Sequence, residues 1–213
     1  MDVNNNYIVH RIEVKDVFNS NAYIFANRLT KQAMIIDAGA QPEKIIKVIN
    51  DNEYSVEKIL LTHGHFDHIA AVDDLRREFN VPVYMHHRGI EYTENAVRNL
   101  SALCERFVVL KDVNYVGEGT TFQLENDESS IFTMHYTLGH ATDQVMYYNQ
   151  QLNISFVGDT IFKGTFGSTQ YEGGNKQDLI QSIAKILSLP DDTILYSGHT
   201  PDTTVGAEKV WYM

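Results

Sequence analysis

Apolar and polar positions follow two rhythms along this chain. Residues 7–14 alternate loosely, and 22–26 and 33–36 are short runs rich in β-prone side chains, so the first part reads as strands. Asp37-Ala38-Gly39-Ala40 then turns the chain, and Pro42 opens a helix that carries Ile45, Ile46 and Ile49 on one face. Residues 56–61 read as a buried strand. Ile69, Val72, Leu75 and Phe79 then mark an amphipathic helix, with Asp73, Asp74, Arg76 and Arg77 on its wet face. A short strand is predicted at 81–85 and helix over about 88–106. Strands return at 107–110, 121–124, 131–137, 145–148 and 154–157. A last helix is expected over about 176–187, capped by Asn175, with Ile180, Ile183, Ala184 and Leu187 as its apolar stripe, followed by a strand at 193–196.

Strands, helices, strands and a final helix suit two packed sheets with helices on their outer faces, an α+β arrangement. The 213 residues, without a linker-like stretch, fit one domain spanning 1–213. Such a layout gathers strand-end loops from both halves at one edge, where function tends to collect.

The chemistry concentrates at one of those strand ends. Thr62-His63-Gly64-His65-Phe66-Asp67-His68 follows the apolar run Ile59-Leu60-Leu61 and has the spacing H-x-H-x-D-H. Imidazole nitrogen and carboxylate oxygen are the ligands that borderline metals prefer. Three later positions at predicted strand ends qualify as partners: His140 in TLGH, Asp159 in VGDT and His199 in SGHT, each after a glycine that lets the backbone turn sharply. Five histidines and two aspartates exceed what one ion can use, whereas two ions bridged by a carboxylate can use them all. Of the other histidines, His10 and His135 read as structural strand residues, while His86 and His87 follow a strand and are candidates to line the cleft.

Charge and cysteine content narrow the class. A formal net charge of −11 argues against a nucleic-acid binder and against an anionic membrane surface. The single cysteine, Cys104, excludes an intramolecular disulfide and reads as a buried thiol on a helix. With no signal-like N-terminus and no membrane-length apolar run, a cytoplasmic location is expected.

Together IIDAGA at 35–40, THGHFDH at 62–68, TLGH at 137–140, VGDTIF at 157–162 and SGHT at 197–200 resemble the metallo-β-lactamase-fold hydrolases, and among them the glyoxalase II-like (hydroxyacylglutathione hydrolase-related) branch. The resemblance implies a four-layer αββα sandwich. It implies that His63, His65 and His140 hold one metal, that Asp67, His68 and His199 hold a second, that Asp159 bridges them, and that Asp37 orients a ligand histidine from behind. Zinc is the expected metal, with iron or manganese as alternatives. The implied reaction is hydrolysis of a small thioester, ester or lactone by a metal-bridging hydroxide, with Asp67 and Asp159 as the catalytic carboxylates and Asp67 helping to orient the hydroxide.

The chain departs from its relatives at several points. Leu138 stands where proline is usual, and Gly167-Ser168-Thr169-Gln170 lacks the arginine many relatives carry. Tyr171-Glu172-Gly173 is kept without a lysine directly before it, so Tyr171, Lys163 and His86 are the candidate substrate contacts. The chain runs only fourteen residues beyond His199, without the C-terminal helical domain of glyoxalase II, which opens the substrate to thioesters or esters other than those of glutathione. The alternatives weighed are a mononuclear iron persulfide dioxygenase using His63, His140 and Asp159, and a metal-binding protein without catalysis. The expected partner is a small acyl substrate, with the protein a monomer or homodimer.

Overall fold

In the computed structural model, which describes residues 3–4 and 6–212, two six-stranded sheets face one another. The first is built from β1 (Tyr7–Lys15), β2 (Asn19–Asn27), β3 (Gln32–Ile36), β4 (Ser55–Leu60), β5 (Val83–His86) and β6 (Asn114–Val116), paired in that order. β1, β2 and β3 are antiparallel neighbours; β3 to β6 run parallel. Parallel neighbours need a crossover long enough to return the chain. α1 (Pro42–Asp51) supplies it between β3 and β4, and α2 (Phe66–Ile69) with α3 (Val72–Phe79) supply it between β4 and β5. Between β5 and β6 lies the short helix α4 (Ile90–Thr93).

The second sheet comprises β7 (Thr121–Phe122), β8 (Phe132–Tyr136), β9 (Val145–Asn149), β10 (Ile154–Gly158), β13 (Ile194–Ser197) and β14 (Thr203–Thr204). Its order is β14-β13-β10-β9-β8-β7, with only β10 and β13 parallel. A hairpin of β11 (Ile161–Phe162) and β12 (Thr165–Phe166) precedes α5 (Lys176–Leu187), and α6 (Val205–Tyr212) follows β14.

Three apolar layers result. Phe25, Met34, Phe132, Phe156 and Tyr196 fill the space between the sheets. Ile45 and Ile49 of α1 and Val72 and Leu75 of α3 cover the first sheet. Leu179, Ile183 and Ile186 of α5 and Val205 of α6 cover the second. This is the expected αββα sandwich. No helix among the described residues is long and apolar enough to cross a membrane.

Four local expectations need correction. Residues 88–106 form no continuous helix: α4 ends at Thr93, and only a 3-10 turn, Ser101–Cys104, follows. The cause is side-chain competition for backbone groups. Asn95 accepts from the N–H of Val97 and Arg98, and Asn99 accepts from Ser101 N–H while donating to the Tyr92 and Val108 carbonyls. Residues 107–110 form no strand. Cys104 sits on that 3-10 turn, half-buried. Finally, α5 is rotated from its expected stripe: Leu179, Ser182 and Ile186 face inward with Ile183 and Leu187, while Ile180 and Ala184 are exposed. Ser182 turns inward because its hydroxyl donates to the Leu138 carbonyl at 2.7 Å.

Candidate metal centre

Loops from the same edge of both sheets meet here. His63, His65, Asp67 and His68 follow β4, His140 lies between β8 and β9, and Asp159 and His199 follow β10 and β13. Bonds between the two halves fix the loops. Val145 N–H donates to Thr62 O at 2.9 Å, the Tyr147 hydroxyl to Leu61 O at 2.8 Å, and the Tyr23 hydroxyl to Ser197 O at 2.6 Å.

Two glycines are required by the geometry. Gly158 has φ +50, a left-handed conformation that lets the backbone turn just before Asp159. A Cβ on Gly198 would lie 1.9 Å from Asp159 Oδ1, so no larger residue fits between His199 and that carboxylate.

The ligand atoms of His63, His65 and His140 lie within 4.8 Å of one another, as do those of Asp67, His68 and His199. His63, His68 and Asp159 form a third such group, which places Asp159 between the other two. Asp159 Oδ2 stands 3.5 Å from His140 Nε2 and 3.0 Å from His199 Nε2, and its Oδ1 stands 3.4 Å from His68 Nε2. The opposite ring nitrogens are anchored. His68 Nδ1 meets Asp37 Oδ2 at 2.9 Å, His140 Nδ1 meets Ser168 O at 2.7 Å, and His199 Nδ1 meets Asn19 O at 2.6 Å. Donation from Nδ1–H leaves each Nε2 lone pair directed inward, the arrangement by which outer partners orient metal ligands. Asp37 also accepts from Thr62 N–H at 2.8 Å and from the Thr62 hydroxyl at 2.7 Å, so one carboxylate fixes both His68 and the start of the motif.

The electrostatics divide the cluster. Burial drives His63 and His65 well below the usual imidazole range, and lowers His140 too, so these rings are neutral and free to donate lone pairs. Burial also opposes charge on His68 and His199, but the neighbouring carboxylates together (Asp159 and Asp67 for both, with Asp37 for His68) outweigh it and lift them to about 10 and about 9. Asp159 is fully buried, which disfavours ionisation, yet His199 and His68 hold it well below the carboxylate range.

The donor set fits divalent metal ions. His68 Nε2 and Asp159 Oδ1 are buried without a hydrogen-bond partner, and His65 turns its Nδ1 toward His63 Nε2 and His140 Nε2 at 3.2 and 2.9 Å. Orphaned buried polar atoms are expensive, and a bound ion removes the penalty.

The Metallo-beta-lactamase superfamily matches residues 16–199 of this sequence. The chain belongs to that superfamily. Within it, the chain is 34% identical over 196 residues to Probable metallo-hydrolase YqgX of Bacillus subtilis, covering 89% of each protein. It is 31% identical over 186 residues to Hydroxyacylglutathione hydrolase GloC of Haemophilus influenzae, covering 84% of this chain and 85% of that one. Among solved structures, the BLEG-1 B3 metallo-beta-lactamase superposes with a TM-score of 0.88 at 34% identity, covering 95% of this chain and 97% of that one.

A cleft of about 200 Å³ opens over this superfamily centre. Tyr171 lines it, with its ring centroid 6.2 Å from that of His65. Lys163 and His86 are not among its lining residues. The His86 ring instead packs tilted against His87 and Tyr136, with ring centroids 4.0 Å apart in each pair, and burial beside His87 and Arg88 lowers it to about 4. His10 bonds the Tyr54 hydroxyl at 2.9 Å and His135 pairs with Glu118 at 3.2 Å, both away from the cleft. Sequence reasoning missed Phe18, Leu100, Phe162 and Ser168, which complete the lining. Phe162 directly follows the VGDTI segment; Phe18 and Leu100 lie in loops without a pattern to mark them.

Proposed function

We propose that this protein is a dinuclear metal-dependent hydrolase of small acyl thioesters or esters. The observation that carries the reading is the convergence of buried, partnerless ligand atoms from both sheets on one cleft. In this reading His63, His65 and His140 hold one ion, Asp67, His68 and His199 hold the other, and Asp159 touches both. Zinc suits these ligands, and iron and manganese suit them as well. Two such ions would supply Lewis-acid charge at the acyl oxygen and lower the pKa of a water toward 7.

The chain's own groups do the rest. Asp67 lines the cleft, with Oδ2 3.3 Å from His199 Nε2, and is the carboxylate positioned to accept a hydrogen bond from the attacking water and orient it. Tyr171 stands at the wall, where its hydroxyl can donate to the substrate's carbonyl or amide. Asp37 keeps His68 in the tautomer that presents Nε2 inward. The hydroxyacylglutathione hydrolase named among the relatives supports thioester chemistry.

The test pairs metal analysis of the purified protein with a thioesterase assay on S-lactoylglutathione and a surrogate thioester. Asp159→Ala should abolish turnover and lower metal content; full activity in that variant would overturn the site. A second reading, β-lactam hydrolysis, draws on the 34% identity to a protein named as a B3 β-lactamase. A chromogenic cephalosporin assayed beside the thioester separates the two. Iron content with oxygen uptake on a persulfide would instead identify a dioxygenase.

A further inference from the structure

The wall of the cleft, rather than its floor, points to a substrate class. Beyond the ligand side chains the lining is Phe18, Leu100, Phe162, Ser168 and Tyr171, with no lysine or arginine among the described residues that form it. Its volume, about 200 Å³, is smaller than the roughly 300–1,000 Å³ of pockets for drug-sized ligands.

Each apolar wall is held in place. Phe18, in the β1–β2 turn, packs on Phe66 with ring centroids 5.8 Å apart, and Phe162 stands 5.6 Å from the His199 ring. Leu100 has φ +71, a conformation that a leucine rarely adopts and that surrounding structure must impose. Asn99 imposes it: its side chain bonds the Tyr92 and Val108 carbonyls and Ser101 N–H, and its own carbonyl accepts from Phe66 N–H at 2.9 Å. The loop thus spends backbone strain to place a leucine over the ligand cluster.

The two arginines nearest these walls are already paired with carboxylates. Arg98, two residues before Leu100, pairs with Glu91 at 3.0 Å and with Glu172, which follows Tyr171. Arg106 pairs at 2.6 Å with Asp16, two residues before Phe18. Lys163 follows Phe162 but lies outside the lining. Ionised carboxylates on a leaving group would therefore find no lysine or arginine in the lining, while an apolar chain would find four apolar or aromatic walls.

We infer that the site selects small acyl thioesters whose thiol portion is uncharged, with Phe18, Leu100 and Phe162 as the residues that set this preference. The inference rests on the hydrolase reading above. Water adds to the acyl carbon and the C–S bond breaks, giving a carboxylate, a neutral thiol and one proton.

The test uses metal-loaded protein and one acyl group on two thiols, N-acetylcysteamine (neutral) and glutathione (net negative). Turnover is measured on both thioesters, and binding of the matching non-hydrolysable S-alkyl thioethers is measured by calorimetry. The neutral thioester should be favoured in kcat/KM by about tenfold or more, chiefly through KM, with its thioether binding more tightly by a similar factor. Phe18→Arg, at an exposed turn, should narrow the gap. Preference for the glutathione thioester, or equal turnover of both, overturns this inference and leaves the hydrolase reading standing. Failure of a fully metal-loaded protein to cleave either thioester overturns both.

Discussion

Asp143 is the most unusual single residue near the centre. It is fully buried next to Gly64, and no side chain bonds its carboxylate oxygens. Burial pushes its carboxyl up to about 7. A carboxyl with a folded-state pKa near 7 and an unfolded value near 4 holds its proton more tightly when folded. Stability therefore falls as pH rises from about 4 to 7 and stays lower above that, by at most about 4 kcal/mol. Asp143→Asn cannot ionise, so on going from pH 5 to pH 8 its thermal midpoint should drop by several degrees less than the parent's. Equal drops in parent and variant would show that Asp143 is not protonated in the fold. Asp37 gives a second prediction of another kind. Because it orients His68 and accepts twice from Thr62, Asp37→Ala should weaken metal binding by roughly 10–100-fold. Competition with a chromogenic chelator measures it, and unchanged affinity would remove Asp37 from the site's support.

At the level of elements, legibility followed how far local pattern decides structure. α1, α3 and β1 were readable because a repeating apolar face is also the buried one, and β2 because its β-prone run is buried on both faces. The residues that converge on the candidate metal centre could be read because H-x-H-x-D-H and the three later glycine-preceded residues are local patterns at strand ends. Residues 88–106 could not: their composition permits helix, and only the tertiary partners of Asn99, reaching back to Tyr92 and forward to Val108, show why the chain breaks there. The phase of α5 was misread because an inward serine answers a carbonyl on a distant loop. That same fold-level contingency put Phe18 and Leu100 at the cleft. The cap of α5 was legible, and it carries a prediction. Asn175 Oδ1 accepts from Gln177 N–H at 2.8 Å and Asp178 N–H at 3.2 Å, so Asn175→Ala should lower stability by about 1 kcal/mol in denaturant titration. A loss below a few tenths would mean the cap is replaced by water.

For the molecule as a whole, the ligand cluster is a joint between two sheets. Four candidate ligands hang from the end of β4 in the first sheet and three from β8, β10 and β13 in the second. At this joint His63, His65, His140 and His68 are in ring contact, and His68 Nε2 and Asp159 Oδ1 are buried without hydrogen-bond partners. Ions bound there would satisfy those atoms and tie the sheets at the edge where the interior apolar layer gives way to loops. An ion bound only by the folded state stabilises it by about 2.7 kcal/mol at a hundred times its dissociation constant. For a chain of this length that corresponds to a rise of roughly 5–10 °C in the thermal midpoint. Exhaustive chelation should lower the midpoint by that amount, and re-addition of zinc should restore it. Double substitution of His65 and Asp159 by alanine should remove the response, because His65 belongs to the group proposed for one ion and Asp159 is proposed to touch both. A midpoint that ignores both chelator and metal would mean that the cluster is held together by its own protons and hydrogen bonds alone, and that the joint needs no cation.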